Sequence, residues 1–306
     1  MALPDLNELD LPQLFSALVQ GPQLDQLLDL AMLEDLGDQG DLTTRATVDP
    51  TRGMDAAIVA RSSGVLAGVN VLDHFMRRHA GQLSWWWNLH DGDRVKPGDV
   101  ICRISGSLAV LLPVERIMLN LLGRLSGVAT STAAHVAAVA GTEVRICDTR
   151  KTTPGHRALE KYAVRCGGGW LHRIGLFDAM LVKDNHIGSF APEEMAARIV
   201  SAARDVRTSC EVRFIEVEVD DLHQLEALIQ AGSDAIDIVL LDNMAPNLLR
   251  KAVAIRDRNA PHLLLEASGG ITLGALPSIA DTGIDRISVG ALTHSVHQLD
   301  FGLDLL

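Results

Sequence analysis

The segment FIEVEVDDLHQLEALIQAGSDAIDIVLLDN, residues 214–243, indicates the fold most clearly. It begins and ends with a short apolar run, and a stretch of helical composition separates the two runs. Continuous apolar runs are typical of parallel strands that are buried on both faces, and a helix usually connects two such strands. The segment therefore predicts a strand–helix–strand unit of a parallel sheet.

The same alternation extends from this unit in both directions along the chain. Further apolar runs are VRICDTRK (144–151), AMLVKDNH (179–186), HLLLEASGG (262–270) and RISVGALTH (286–294). Polar or small residues end the runs, near positions 150, 184, 218, 242, 268 and 290. Because the C-terminal ends of barrel strands form one active-site face, we predict an incomplete α/β barrel of six to seven strands with these residues at its mouth.

The residues before position 140 have a different pattern. Apolar residues at helical spacing predict short amphipathic helices over 3–36, and turn-rich apolar runs over 54–112 predict a small sheet with a helix near 69–80. Pro113 suits the first position of a helix, since a proline lacks the N–H that is unpaired there. We therefore expect a helix over 113–125 and more helix near 129–140.

Composition excludes several classes of protein. The 306 residues are 47% apolar and 22% charged, which is a globular balance, and the net charge of -12 argues against a nucleic-acid binder. The acidic start lacks the pattern of a signal peptide, and no apolar stretch is long enough for a membrane span. The four cysteines show no paired or zinc-like spacing. We expect a cytoplasmic protein.

A basic segment stands out in this acidic chain. Between Arg145 and Arg173 lie seven basic and two acidic residues, a local charge of +5. Such a local field suits a small polyanionic ligand. The basic side chains that flank a predicted strand end and the glycine-rich turn CGGGW (166–170) are Arg150, Lys151, His172 and Arg173. An alternative is that the helical part of the segment, with Arg157, Lys161 and Arg165, is only a solvated helix face.

Acidic residues occupy two other strand ends. Glu216 and Glu218 lie on one face of their strand, because side chains alternate with period two, and Asp242 ends the next apolar run. Carboxylates at a barrel mouth suit Mg²⁺, which binds through one or two carboxylates together with substrate phosphates. The alternative is that these carboxylates only form ion pairs with the basic segment.

Glycine-rich turns follow the last two predicted strands. Ser268, Gly269 and Gly270 follow one strand, and Gly290 follows the other. Glycine allows backbone N–H groups to approach a phosphate closely, and barrels often bind phosphate with their last loops. His294 is a further candidate phosphate donor.

Beyond these patterns, the chain resembles the quinolinate phosphoribosyltransferases over nearly its whole length. The motifs that carry the resemblance are EDLGDQGDLTT (34–44), ERIMLNLLGRLSGVAT (115–130), DTRKTTPGHRALEKYAVRCGGG (148–169), HRIGLFDAMLVKDNHI (172–187), EVEVD (216–220), LLDN (240–243), EASGGI (266–271) and ISVGALTHSVHQLDFGLDL (287–305). The resemblance implies phosphoribosyl transfer from phosphoribosyl pyrophosphate to quinolinate, with decarboxylation to nicotinate mononucleotide and with Mg²⁺.

The resemblance also implies the organisation of the chain. We expect an N-terminal α/β sandwich domain over 1–128 and the barrel over 129–294, with the tail 295–306 packing against the first domain. It further implies a homodimer, or a higher oligomer, in which each active site combines the barrel of one subunit with the sandwich domain of another.

Matching motifs assign roles to individual residues. Arg116 matches an arginine donated across the subunit interface. Three residues match those that bind the two carboxylates of quinolinate: Arg150, His172 and Arg173. Lys151 and Lys183 match lysines that contact the substrates and their phosphates. Glu218 and Asp242 match the acidic pair near the ribose and the metal. The 5′-phosphate cradle is matched by Ser268, Gly269, Gly270, Gly290 and His294.

One departure from the family pattern leaves an alternative open. The family has a small residue and then Asn or Ser before the His-Arg pair, where this chain has Trp170 and Leu171. Either both side chains point away from the ligand, or the pocket is reshaped for nicotinate or another aromatic acid. A second alternative is a lipoyl or biotinyl carrier, which residues 91–106 resemble; the lysine for modification would be Lys96.

Overall fold

The protein forms two compact units in the computed structural model, which describes residues 4–188 and 190–306. The unit that we call the barrel unit contains the described residues up to Glu8, Ala134–Lys151 and Gly169–Ala291. The other, the sandwich unit, contains Leu9–Ala133, Thr152–Gly168 and Leu292–Leu306. No helix within the described part of the chain is long and apolar enough to cross a membrane.

The strands are numbered along the chain. They are β1 (Gly53–Ala60), β2 (Gly64–Val65), β3 (Leu83–Trp87), β4 (Arg94–Val95), β5 (Val100–Ser107), β6 (Arg145–Cys147), β7 (Met180–Val182), β8 (Ile215–Val219), β9 (Ile238–Asp242), β10 (Leu264–Ser268), β11 (Arg286–Ser288) and β12 (Phe301–Leu305).

The helices are numbered in the same way. They are α1 (Leu11–Leu18), α2 (Gly21–Leu36), α3 (Leu42–Thr47), α4 (Val69–Met76), α5 (Leu108–Ala138), α6 (Arg157–Cys166), α7 (Asp184–Ile187), α8 (Pro192–Ser209), α9 (Leu222–Gly232), α10 (Pro246–Asn259), α11 (Leu276–Ala280) and α12 (Ala291–His294). Short 3₁₀ turns lie at Arg77–His79, Ser233–Ala235 and Leu273–Ala275.

The sheet of the barrel unit contains six strands in the order β6-β11-β10-β9-β8-β7, and every pairing is parallel. The last strand, β11, pairs with the first, β6, so the sheet curls back on itself, while β6 and β7 are its edge strands. All five residues of β8 are buried, as expected of a strand that is covered on both faces. The prediction of an incomplete barrel is confirmed.

The sandwich unit contains an antiparallel sheet in the order β12-β1-β5-β3. The predicted helix near 69–80 is α4 with the 3₁₀ turn that follows it. In the same unit, a Cβ added at Gly123 of α5 would lie 2.7 Å from the carbonyl oxygen of Leu299. Glycine at this position therefore allows the segment before β12 to pass directly over the helix.

The helix expected over 113–125 begins earlier and ends later than predicted. A single helix, α5, runs from Leu108 to Ala138, and Pro113 lies inside it. Pro113 lacks the N–H that would bond to the carbonyl four residues before it, which normally favours a helix start. Burial offsets this loss, since Leu108 and Leu111 in the first turn are 4% and 0% exposed. The position predicted for Pro113 was therefore wrong.

Candidate active site

Most of the predicted site residues lie at or just beyond the C-terminal ends of the barrel strands. Lys183 directly follows β7, Asp242 is the last residue of β9, and Ser268 is the last residue of β10. Arg150 and Lys151 follow β6, while Gly290 follows β11. Parallel strands place these ends on one side of the sheet, so the barrel brings these residues to a common face.

His172 and Arg173 reach this face on the loop between α6 and β7. Trp170 forms an isolated parallel bridge with Cys147 of β6, which fixes the start of the loop against the sheet. The side chain of Asp178 then accepts the backbone N–H groups of Ile174 and Gly175, both at 2.9 Å. His172 and Arg173 therefore lie on a backbone that is fixed on both sides.

His172 is buried and contacts two carboxylates. Its Nε2 lies 2.7 Å from Oε2 of Glu216 and 3.5 Å from Oε1 of Glu266, and both glutamates are fully buried. Burial disfavours the charged imidazolium, but the two carboxylates outweigh burial and raise the pKa of His172 to about 9. Its Nδ1 accepts the N–H of Arg173 at 2.8 Å, a bond that the doubly protonated ring cannot make. The protonation of His172 is therefore linked to the backbone position of Arg173.

The cluster of His172, Glu216 and Glu266 has the composition of a metal site, and its ligand atoms lie within 4.8 Å of one another. Arg286 already supplies a cation there, because its Nε lies 2.8 Å from Oε2 of Glu266. Although burial works against the charge, the guanidinium of Arg286 and the imidazole of His172 lower the pKa of Glu266 to about 2. We therefore interpret the cluster as a buried ion network that supports His172.

The alternative that the carboxylates pair with the basic segment agrees with Glu216, which contacts His172. The participation of Glu266 and Arg286 was not predicted, although one signal was available. Glu266 lies two positions before Ser268 on β10, so period-two alternation places it on the same face as the predicted phosphate residue. Register pairs Glu266 with Arg286 across β10 and β11, which cannot be read from a single strand. Asp178 was missed as well, since it lies in a loop without periodicity.

Two arginines of the predicted substrate site lie close enough to affect each other. Arg173 is only 8% exposed. Burial and the neighbouring guanidinium of Arg150 lower the pKa of Arg173, while Glu216 and Asp178 oppose this shift. Two guanidinium groups in the same barrel unit suit an anion with two acidic groups, because each can bind a carboxylate through paired N–H groups.

The predicted acidic pair has polar neighbours at the same face. The ammonium of Lys183 forms an ion pair with Oε2 of Glu218. The carboxylate of Asp242 accepts a hydrogen bond of 2.6 Å from the side chain of Asn243. Both carboxylates lie on neighbouring strands, β8 and β9, so their oxygens suit a hard cation such as Mg²⁺.

The glycine turn after β10, predicted to bind phosphate, has a backbone that favours glycine. Gly269 has φ +92° and Gly270 has φ +57°, both in the region that favours glycine. A Cβ added at Gly269 would lie 2.9 Å from the backbone nitrogen of Asn243 and would also collide with the Asn243 side chain. Next to Gly270 an added Cβ would meet open space, which leaves this side of the turn accessible.

The remaining predicted site residues, Arg116 and His294, belong to the sandwich unit. Arg116 lines a cavity of about 390 Å³ together with Leu28, Asn120 and His156 of the same unit, and its side chain is 63% exposed. Nδ1 of His294 lies 2.6 Å from the hydroxyl of Ser295.

The alternative that Arg157, Lys161 and Arg165 share one solvated helix face is wrong for Lys161, which is completely buried in α6. The preceding residue, Glu160, is also fully buried and pairs with Arg124 at 2.7 Å. The positive charge of this helix is thus partly enclosed within the sandwich unit.

Two thiols near the basic segment are unsuited to nucleophilic chemistry. Burial raises the pKa of Cys147 to about 12 and that of Cys166 well above its usual value. Since the thiolate is the nucleophilic form, neither cysteine is activated.

The residues next to the substrate candidates have partners of their own. The ring of Trp170 stacks on the guanidinium of Arg145, with 3.8 Å between the Arg145 Cζ and the ring centroid. Leu171 is 4% exposed. These contacts favour the interpretation that both side chains stabilise the loop and point away from the ligand.

Comparison with known proteins identifies the family of the chain. Residues 41–126 match the N-terminal domain of the quinolinate phosphoribosyl transferase family, and residues 128–304 match its C-terminal domain. The chain is 43% identical to the nicotinate-nucleotide pyrophosphorylase (carboxylating) of Mycobacterium leprae, over 90% of this chain and 94% of the relative. It is 40% identical to the probable enzyme of the same name from Bacillus subtilis, over 92% and 93% of the two chains.

A solved structure of a protein with the same name is also similar to this chain. The nicotinate-nucleotide pyrophosphorylase of Francisella tularensis superposes with a TM-score of 0.84 at 34% identity, covering 94% of this chain and 98% of the other. The fold with its barrel of parallel strands is thus shared with a solved enzyme of that name. The chain belongs to the quinolinate phosphoribosyltransferase family, whose members are pentosyltransferases.

Proposed function

We propose that the protein transfers the phosphoribosyl group of phosphoribosyl pyrophosphate to quinolinate and releases pyrophosphate and carbon dioxide, leaving nicotinate mononucleotide. The observation that carries this proposal is the placement of two arginines in the barrel unit: Arg150 lies just beyond β6, and the buried Arg173 lies on the loop before β7. Quinolinate is a planar dianion, and each guanidinium can bind one carboxylate through two parallel hydrogen bonds. Lys151, which directly follows Arg150, adds positive charge at the same strand end.

The reaction proceeds in two stages. In the first, the bond between C1 of the ribose and pyrophosphate breaks with its electron pair leaving on the pyrophosphate, and the lone pair of the quinolinate ring nitrogen forms the new bond to C1. In the second, the bond between ring C2 and its carboxylate breaks, carbon dioxide leaves, and the electron pair remains at C2, where a proton is added. The cationic pyridinium nitrogen beside C2 stabilises this electron pair.

The charged side chains of the strand ends fit the first stage. As C1 loses pyrophosphate it becomes cationic, and the carboxylates of Glu218 and Asp242 would stabilise this charge. The ammonium of Lys183, now paired with Glu218, would offset negative charge on the phosphates. Gly269 and Gly270 would bind the 5′-phosphate with backbone N–H groups, together with Ser268 and Gly290.

Magnesium fits the same set of residues. Glu218 and Asp242 provide hard oxygen donors on neighbouring strands, the type of ligand that Mg²⁺ takes in phosphate-transfer sites. When bound, the ion would neutralise charge on the pyrophosphate group. His172, Glu216 and Glu266 are unsuited to this role, since Arg286 already compensates their charge.

The proposal includes an assembly and a location. We propose a homodimer, or a higher oligomer, in which Arg116 of one subunit completes the active site of another; the roles of Arg116 and His294 stay predictions. We also propose a cytoplasmic enzyme, where thiols remain reduced, since all four cysteines are free.

The test is to incubate the purified protein with phosphoribosyl pyrophosphate and Mg²⁺, and to offer quinolinate and nicotinate in parallel reactions. The proposal predicts nicotinate mononucleotide from quinolinate and at least about a hundredfold lower kcat/KM with nicotinate, because nicotinate leaves one guanidinium unpaired. Turnover of nicotinate alone would instead support a relative with the same scaffold and a different aromatic acid. A modified Lys96, visible as added intact mass, would support the carrier alternative.

A further inference from the structure

The loop that carries His172 and Arg173 is held by side chains at every step. Five consecutive backbone N–H groups, from Leu171 to Gly175, donate to side-chain acceptors: Asn7, Asp148, His172 and, twice, Asp178. These N–H groups do not belong to a helix or strand, so the hydrogen bonds that satisfy them come from side chains. The position of the backbone at Arg173 is therefore set by this row of acceptors.

Asn7 is the acceptor farthest from the loop in sequence. Its Oδ1 accepts the N–H of Leu171 at 2.7 Å, and its Nδ2 donates to the carbonyl oxygen of Leu171 at 3.1 Å. A side-chain amide that bonds both groups of one residue imitates a strand partner and fixes the peptide groups on both sides of that residue. Leu171 has an apolar side chain and cannot provide these bonds itself.

The segment around Asn7 is itself anchored to the barrel unit. Leu6 is 6% exposed, and the guanidinium of Arg213 donates to the carbonyl oxygen of Pro4. The Nε of Arg213 also lies 3.3 Å from Oδ2 of Asp178, the residue that accepts the far end of the loop. Asn7 is further held by Asp5, whose carboxylate accepts the Asn7 N–H at 2.9 Å. Residues 4–8 therefore form a strap that is fixed at both sides of Asn7.

We propose that Asn7 is a positioning residue for substrate binding: by holding both backbone groups of Leu171, it directs Arg173 toward the quinolinate carboxylate. The inference rests on the proposed function, because it needs Arg173 to bind that carboxylate. Asn7 lies before residue 41, where the match to the family begins. It thus adds a support for the substrate loop from outside the two matched domains, residues 41–126 and 128–304.

The inference predicts a selective change in kinetics. In metal sites, loss of a hydrogen bond that orients a ligand residue typically reduces affinity about 10- to 100-fold. By the same reasoning, Asn7→Ala should raise the KM for quinolinate by about tenfold. The KM for phosphoribosyl pyrophosphate should stay within about twofold. The strap contacts Leu171 and Arg213, whereas the proposed phosphate site is the glycine turn after β10, and distant sites usually act independently. Asn7→Asp keeps the acceptor and loses the donor, so its effect on KM should be intermediate.

Two controls separate positioning from stability. Glu8→Ala changes an exposed side chain next to Asn7 and should leave both KM values unchanged. Melting temperatures identify a general loss of stability, which would lower the amount of active enzyme, and hence the apparent kcat, with both KM values unaltered.

The experiment measures both KM values, kcat and melting temperature for the wild type, Asn7→Ala, Asn7→Asp and Glu8→Ala. A wild type without activity on quinolinate would refute the proposed function itself. An active wild type with an unchanged quinolinate KM in Asn7→Ala, or with both KM values raised equally, would refute only the role of Asn7. A quinolinate-specific increase, partly restored in Asn7→Asp, is the expected result.

Discussion

Nε2 of His172 lies 2.7 Å from Oε2 of Glu216, and both side chains are buried in the barrel unit. Carboxylates only accept hydrogen bonds, so the ring proton on Nε2 points to Glu216 and Glu266. Only while the ring is neutral can its Nδ1 also accept the N–H of Arg173 and so support that residue.

The raised pKa of His172 predicts a pH-dependent stability. A pKa that rises from 6.5 to about 9 on folding means that the folded protein holds a proton that the unfolded chain releases. This stabilisation is complete below pH 6.5 and is lost as pH rises through 9, at up to about 1.4 kcal/mol per pH unit. Urea unfolding of the wild type between these pH values should show the slope, and His172→Gln should lack it.

The two proteins are best compared by their slopes, because His172→Gln will also lower stability at every pH. Equal slopes would show that His172 stays neutral and keeps its Nδ1 bond to Arg173 throughout this range.

The ion pair of Lys183 and Glu218 predicts strongly non-additive variants. Lys183→Met and Glu218→Gln should each lower kcat by at least about a hundredfold, because each removes charge that acts in the transition state. The double variant should be little worse than either single variant, since the two groups act as a unit. Steady-state kinetics of the three variants measures this directly.

A matched control for this series is the exposed ion pair of Arg198 and Glu194 on α8, with 2.8 Å between Arg198 Nη2 and Glu194 Oε1. Glu194→Gln should leave kcat and stability nearly unchanged, as surface ion pairs contribute little. Additive losses in the Lys183 and Glu218 double variant would show that the two residues act separately.

The turn at Gly269 predicts a specific loss of phosphate binding. In Gly269→Ala the new methyl group would press against Asn243, and the left-handed backbone would be strained. The KM for phosphoribosyl pyrophosphate should rise by about tenfold or more, because the backbone N–H groups of the turn would move.

Gly274→Ala is the control for that substitution, since an added Cβ there meets nothing within 4 Å. It should change neither the KM nor the melting temperature. If both alanine variants bind phosphoribosyl pyrophosphate normally, the turn after β10 is not the phosphate cradle.

The proposed donation of Arg116 across subunits predicts complementation. Arg116→Ala and Glu218→Ala should each be inactive alone. In a mixture of equal amounts, half of the dimers are hybrids with one intact site each, so about a quarter of wild-type activity should return. Native mass spectrometry would verify that subunits exchange, and exchange without recovered activity would contradict a shared site.

The sequence predicted the barrel and much of its face because these depend on local patterns. Apolar runs located the strands, and the residues that end them located Asp242 and Ser268, whereas Lys183 was assigned from the family resemblance. Patterns failed where distant packing decides. Pro113 signalled a helix start, but burial of Leu108 and Leu111 extends the helix upstream.

Contacts between residues far apart in sequence could not be predicted, for the same reason. Asn7 and Leu171 are separated by 164 positions, so nothing in either local sequence links them. Glu216 and Glu218 share a strand face, yet alternation alone does not show that Glu216 contacts the buried His172 while Glu218 pairs with Lys183. Strand register and loop geometry make that distinction.

The most direct test of the account uses quinolinate labelled in its 2-carboxylate, with phosphoribosyl pyrophosphate and with or without Mg²⁺. The account predicts one labelled carbon dioxide for each nicotinate mononucleotide formed, and formation of neither when a chelator removes the metal. Nucleotide formed with retention of the label, or no turnover of quinolinate by a folded protein, would contradict it.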